Sequence, residues 1–135
     1  MTRTFLDAGV LIAAARGRGI IAVCAHTILD DPGRNFVASD YLRMEVLPKA
    51  LYHRQNAEVL LYERFFSRAA QIVPPSVSLM MQAYTEAYTF GLAALDAFHI
   101  AAAKFSGAEE FITTERPTTP LFRVTGIIIQ TITLP

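Results

Sequence analysis

Short apolar runs recur along the chain between longer stretches in which apolar residues return at helical spacing. Arg3 to Leu6 reads as a first strand, and Asp7 to Ala15 places Val10, Leu11 and Ala14 as one face of a helix that Gly17 and Gly19 end. A second apolar segment, Ile20 to Leu29, closes at the turn Asp30-Asp31-Pro32-Gly33 before a strand-like Asn35 to Ala38. Ser39 or Asp40 then sits where an N-cap would, opening a helix from about Tyr41 that Pro48 punctuates. From about Gln55 to Ala70 an apolar stripe of Val59, Tyr62, Phe66 and Ala69 predicts a packed helix with Arg64 and Arg68 outside it. Gln71 to Val73 reads as a third strand, Pro74-Pro75-Ser76 as its stop and the next helix start, and Gly91 as the break between two consecutive helices. Glu110 to Thr113 and the β-branched Ile127 to Thr133 supply the last two strands.

Strands alternating with helices predict an α/β sandwich around a mostly parallel sheet, with ligands beyond the carboxyl ends of its strands. With no internal repeat, low-complexity tract or linker, the 135 residues are expected to form one domain, 1–135, large enough to bury a core without disulfides.

Composition narrows the function. The formal net charge is zero and 18% of residues are charged, so no global basic field draws the chain onto nucleic acid and any such contact is local. Cys24 stands alone, which leaves no intrachain disulfide or Cys-rich zinc site and suits a reducing, cytoplasmic setting. Asp7 interrupts the place where a signal peptide needs its apolar run, and Val124 to Pro135 falls short of the roughly 20 residues of a membrane span, so no membrane partner is expected. The apolar share, 53%, is high enough to leave a face for a protein partner.

One residue stands out against this pattern. LAALDAFHIAAAKF, Leu92 to Phe105, carries Asp96 among apolar neighbours, with no lysine or arginine within a helical turn. A desolvated carboxylate needs compensation. Either Asp96 caps the start of a helix or it faces a cation from elsewhere. Asp7 follows the first strand, Glu45 lies in the helix after the second, and Glu115 comes just after the fourth. Strand ends converge on one edge of a parallel sheet, so the fold can gather Asp7, Glu45, Asp96 and Glu115 in one pocket. Such a cluster repels itself unless it takes up protons or a divalent cation, and all-oxygen ligands suit Mg²⁺ or Mn²⁺.

TFLDAGVLIAA, SDYLRMEV, GLAALDAFHIAAA and FITTERP, in that order and at this total length, resemble the PIN-domain family, including its VapC-type toxin ribonucleases. LDAFHIAAA is the most specific of these pieces. The resemblance, from Phe5 to about Ile132, implies a three-layer α/β/α sandwich, a central sheet of about five strands, and a metal-dependent nuclease that cuts RNA. By position, Asp7, Glu45, Asp96 and Glu115 match the four metal-binding and catalytic acids, and Thr113 matches a small hydroxyl residue two before the fourth. Gly9 departs from the family, where Asn is common, and Glu115 replaces the more frequent Asp.

On this reading the chain hydrolyses phosphodiester bonds with a metal-activated water and no protein nucleophile. Arg16 and Arg18 around Gly17, Arg43 near Glu45, and Arg116 beside the fourth acid are the candidates for holding RNA, each set against the plainer role of solvated surface. His99, three residues after Asp96, either supports the site or is a packing residue on the same helical face. Ser39, Asp40 and Thr114 read as caps and turn formers. The expected partners are RNA, a small antitoxin protein and, by resemblance, a second copy in a homodimer. The alternative function is a PIN-fold module that binds RNA or protein with little or no turnover. A phosphohydrolase with Asp7 as nucleophile lacks its Asp-x-Asp signature, and no G-x-G-x-x-G follows the first strand to bind a dinucleotide.

Overall fold

The structure, a computed structural model, describes residues 1–133, so the last two residues of the domain expected over 1–135 lie outside the described residues. Its strands are β1 (Thr2–Leu6), β2 (Arg34–Ser39), β3 (Gln71–Val73), β4 (Glu110–Thr113) and β5 (Ile128–Thr131). Its helices are α1 (Ala8–Arg16), α2 (Gly19–Leu29), α3 (Asp40–Tyr52), α4 (Asn56–Arg68), α5 (Val77–Phe90) and α6 (Ala94–Phe105). The strands form one sheet in the order β3-β2-β1-β4-β5, every neighbouring pair parallel, within a three-layer α/β/α arrangement. β1 is central. Because helices cover both faces, its last three residues, Thr4, Phe5 and Leu6, are fully buried. Phe5 stacks on Phe111 of β4 with ring centroids 5.5 Å apart, and α1 packs on both strands.

The chain first lays β2 and β3 to one side of β1, then returns to place β4 and β5 on the other. The direction of winding therefore reverses between β1 and β4, and a crevice opens there beyond the carboxyl ends of the strands. Asp7 follows β1 and Glu115 follows β4, so both acids stand at that reversal.

Local chemistry explains the helix starts. Ser39 caps α3 by accepting from Leu42 N at 3.0 Å, and Ser76 caps α5 through Leu79 N at 3.0 Å. Gly91 ends α5 with φ +70°, a left-handed conformation that costs glycine little. Pro48 does not break α3, which runs through it to Tyr52. Its missing donor leaves the Met44 carbonyl unbonded, and Met44 lies exposed where water can satisfy that oxygen. β5 is shorter than the β-branched run suggested, because β4, its one neighbour among the described residues, ends at Thr113.

Among the described residues no single helix is long and apolar enough to cross a membrane; α1 and α2, apolar together, meet at 113°.

α5 and α6 are locked by an ion pair. Lys104 Nζ donates to Glu86 Oε1 at 2.5 Å and to Oε2 at 2.9 Å, with Glu86 buried. Removing one partner leaves a desolvated charge, whereas replacing both removes the problem. Lys104→Met should therefore cost about 3 kcal/mol in urea unfolding, and Glu86→Leu/Lys104→Met should recover most of it. A double variant as unstable as the single one would show that the pair itself holds the helices together.

Candidate functional site

Asp7 enters the crevice from the end of β1, where its backbone N–H donates to Ile112 O at 3.0 Å and binds the start of α1 to β4. Its side chain caps α1: Oδ1 accepts from Val10 N at 3.3 Å, and Oδ2 accepts from the buried hydroxyl of Thr113. Thr113 Oγ1 in turn accepts the N–H of Glu115 at 3.0 Å. One short relay thus joins Asp7, Thr113 and Glu115 across the two central strands.

Asp96 arrives on α6 and does not cap it; the N-cap position is Ala93, and no side chain caps the helix. Asp96 nevertheless lies in the first turn of α6, where the helix dipole favours its charge. Glu45, on α3, meets His99 of α6, whose Nε2 lies 2.7 Å from Glu45 Oε1. His99 is 2% exposed, its ring centroid 5.8 Å from that of Phe5, and its Nδ1 has no hydrogen-bond partner among the described residues. His99 is thus both packing residue and clamp.

Electrostatics ties the four acids together. Burial pushes the Asp7 carboxyl up to about 6, against the opposing pull of Thr113, Val10 and His99 and with a further push from the Asp96 charge. Asp96 is also raised, first by burial, with His99 opposing and the charges of Glu115 and Glu45 adding to the rise. No lysine or arginine is among the groups acting on either residue. No lysine or arginine supplies the compensation that Asp96 lacks in sequence; the start of α6 and His99 are what oppose its burial. Buried Asp7 and half-buried Asp96, flanked by the exposed and longer Glu45 and Glu115, form an all-oxygen donor set of the kind Mg²⁺ or Mn²⁺ takes. Among the described residues no three His, Cys, Asp or Glu side chains stand close enough to hold one ion as placed. A cation here would draw the longer Glu45 and Glu115 side chains inward or reach them through water.

Gly9 has a steric reason. A Cβ built on it would lie 2.1 Å from Thr114 Oγ1 and 3.3 Å from Asp7 Oδ1. The Thr114 side chain occupies the space that a side chain at position 9 would need, so Thr114, read from sequence as a turn former, is a wall of the site beside Asp7.

The arginines divide. Arg16, the last residue of α1, pairs through Nε with Glu58 Oε1 at 3.1 Å. Arg43 pairs with Asp40 at 3.3 Å and lies over the Phe66 ring at 5.2 Å from its centroid. Arg18, at the N-cap position of α2, and Arg116 are exposed, and neither forms an ion pair with the described residues. Glu58 was hidden in the sequence: it is buried on α4 and accepts from Tyr62 OH at 2.8 Å. Its position four residues before Tyr62, on the apolar stripe, is the signal that marks it.

A PIN domain family profile matches residues 4–116. No curated protein matches the chain significantly. Among solved structures it is similar to VapBC2 from Rickettsia felis, at 14% identity and a TM-score of 0.71, covering 96% of this chain and 98% of that one. A toxin–antitoxin complex from Klebsiella pneumoniae aligns at 19% identity and a TM-score of 0.68, covering 93% and 95%. VapC20 from Mycobacterium tuberculosis, a sarcin–ricin-loop-cleaving toxin, aligns at 16% identity and a TM-score of 0.60, covering 80% and 86%.

Because the Asp7 carboxyl holds its proton more tightly folded than unfolded, it favours folding below about pH 4 and opposes it increasingly as pH rises through about 6. Asp7→Asn should therefore raise the metal-free melting temperature at pH 7 by roughly 5 °C, with the difference fading near pH 4; thermal unfolding in chelator at both pH values checks this, and a loss of stability at pH 7 would refute it. Gly9→Ala should cost on the order of 1–3 kcal/mol, most of it regained in Gly9→Ala/Thr114→Ala. Additive losses in chemical denaturation would mean that the two positions do not compete for space.

Proposed function

The chain belongs to the PIN domain family, and on that premise we propose that it is the toxin nuclease of a toxin–antitoxin pair, an Mg²⁺- or Mn²⁺-dependent endoribonuclease. The observation that carries this reading is the crevice between β1 and β4, where Asp7 and Asp96 are desolvated, repel one another and receive no lysine or arginine. Asp7 and Asp96 are the principal ligands for the cation, and Glu45 and Glu115 complete or adjust its shell. When bound, a divalent cation supplies positive charge to the phosphate oxygens and lowers the pKa of water.

The chain's own residues prepare that chemistry. Val10 N–H and the Thr113 hydroxyl fix both oxygens of Asp7, so this carboxylate needs little reorganisation to bind. His99 restrains Glu45, while the Thr113 relay holds the backbone of Glu115 and leaves its longer side chain free to swing. The Thr113 hydroxyl is already donated to Asp7, which makes it a positioning group and not a nucleophile. Water is left as the attacking species.

Partners follow from exposure and likeness. α2 leaves Ile20 and Val23 open, and α5 presents Met80, Met81, Tyr84 and Tyr88 on its surface. Apolar faces of this kind suit an antitoxin and a second copy of the chain. The similar structure from K. pneumoniae is itself a toxin–antitoxin complex, which supports the first. The alternative, a PIN-fold module that binds without cutting, draws its support from the spread of the acids, no three of which close on an ion as placed among the described residues.

Asp96→Asn keeps the side-chain shape and removes the charge. Incubated with Mn²⁺ and a panel of structured and single-stranded RNAs, the wild type should cut at least one, and the variant should lose about 100-fold or more of that rate. Equal rates would assign the cutting to another site or a contaminant. Mn²⁺ binding by the wild type without any cutting would favour the alternative.

A further inference from the structure

Beyond the acids, a cavity of about 380 Å³ opens where the C-terminal ends of α1 and α3 meet the start of α4. Arg16, Lys49, His53, Gln55 and Glu58 line it between alanine walls. Its floor is anionic and its mouth is cationic. Glu58 is buried, and its Oε1 accepts from Tyr62 OH at 2.8 Å while pairing with Arg16 Nε at 3.1 Å. That ion pair holds the Nε side of the guanidinium near the floor. The Arg16 side chain is 60% exposed, so its outer edge faces the opening. Lys49 and His53 are exposed beside it, and neither forms an ion pair among the described residues. A planar guanidinium beside a lysine ammonium is an arrangement suited to phosphate oxygens.

The cavity is also in line with the acids. Glu45 and Lys49 stand four residues apart on α3 and His53 is its C-cap, four residues further, so at 1.5 Å rise per residue the row spans ~12 Å. α1 gives a similar span from its cap Asp7 to its last residue Arg16, and the two helices pack together. At the ~3.4 Å axial spacing of stacked nucleotides, ~12 Å corresponds to about three or four residues of a strand.

We propose that this cavity is a subsite for a backbone phosphodiester of RNA, three or four nucleotides from the bond held at the acids. The proposal rests on the ribonuclease reading. It places recognition in one cationic pocket on a chain of zero net charge, and gives the Arg16–Glu58 pair a role in holding the guanidinium that binds.

The test uses Lys49→Gln/His53→Gln, which leaves the buried Glu58 its partner, in the Asp96→Asn background so that bound RNA is not cut. Fluorescence anisotropy with single-stranded RNA of about twelve nucleotides should show a Kd raised about 10-fold and a salt slope reduced by about one. RNA of about three nucleotides, too short to span both places, should bind the parent and the double variant alike. Arg68→Gln, on the far end of α4, controls for simple loss of charge and should shift the longer RNA by no more than about 2-fold. An unchanged Kd and salt slope for the longer RNA in the double variant would overturn the subsite while leaving the ribonuclease reading intact. If the parent bound no RNA of either length, both would fall together. Loss of polyglutamate binding in the double variant with RNA binding unaltered would overturn the proposal and assign the cavity to an acidic protein segment.

Discussion

A carboxylate held away from water at the end of the central strand sets the terms for everything around it. Asp7 is 7% exposed, caps α1 and faces the negative charge of Asp96. Folding alone does not favour that arrangement, since burial penalises the ionised form and a neighbouring like charge adds to the penalty. The apolar packing beneath it, with Phe5, Leu6, Phe111 and Ile112 almost wholly buried, supplies the stability that lets the site remain strained.

The groups next to these acids restrain geometry more than they neutralise charge. Thr113 links Asp7 to the backbone of Glu115, so the ends of β1 and β4 share one hydroxyl. His99 does the same for α3 and α6, reaching Glu45 from a buried face three residues beyond Asp96. Gly9 and Thr114 form a complementary pair: where one has no side chain, the other fills the gap beside Asp7. The departure at position 9 is thereby tied to a specific neighbour, and the space is occupied and not left open to water.

Polar chemistry elsewhere in the molecule is arranged differently. Glu86 with Lys104, and Glu110 with Arg34 at 2.8 Å, are buried acids that receive a cation from the chain and serve the fold. Glu58 receives Arg16 but sits at the bottom of an open cavity, between the two cases. The acids of the crevice are set apart by what they are denied: no arginine or lysine acts on Asp7 or Asp96. Charge compensation, more than the number of acids, separates structural carboxylates from those poised for an external cation.

Much of this was legible along the chain. Gln71–Val73 and Glu110–Thr113 were readable to the residue, and the helices after Asp7 and from about Gln55 to within a residue or two, because turn residues and periodic apolar positions are local signals; Ile20 to Leu29 was legible only as an apolar segment. Pro48 misled, since a helix tolerates one lost hydrogen bond where its freed carbonyl meets water. The anomaly of Asp96 was likewise visible, as an acid without a nearby cation. What became of that anomaly was decided in three dimensions. Parallel pairing of β1 with β4 brings residue 7 to residue 113 across more than a hundred positions, and no local spacing encodes it. The same holds for His99 with Glu45, Thr114 against Gly9 and Arg16 on Glu58. Sequence determines which residues are apolar, which are charged and where the backbone turns; only packing decides which charges lose their water and which neighbours stand ready to replace it.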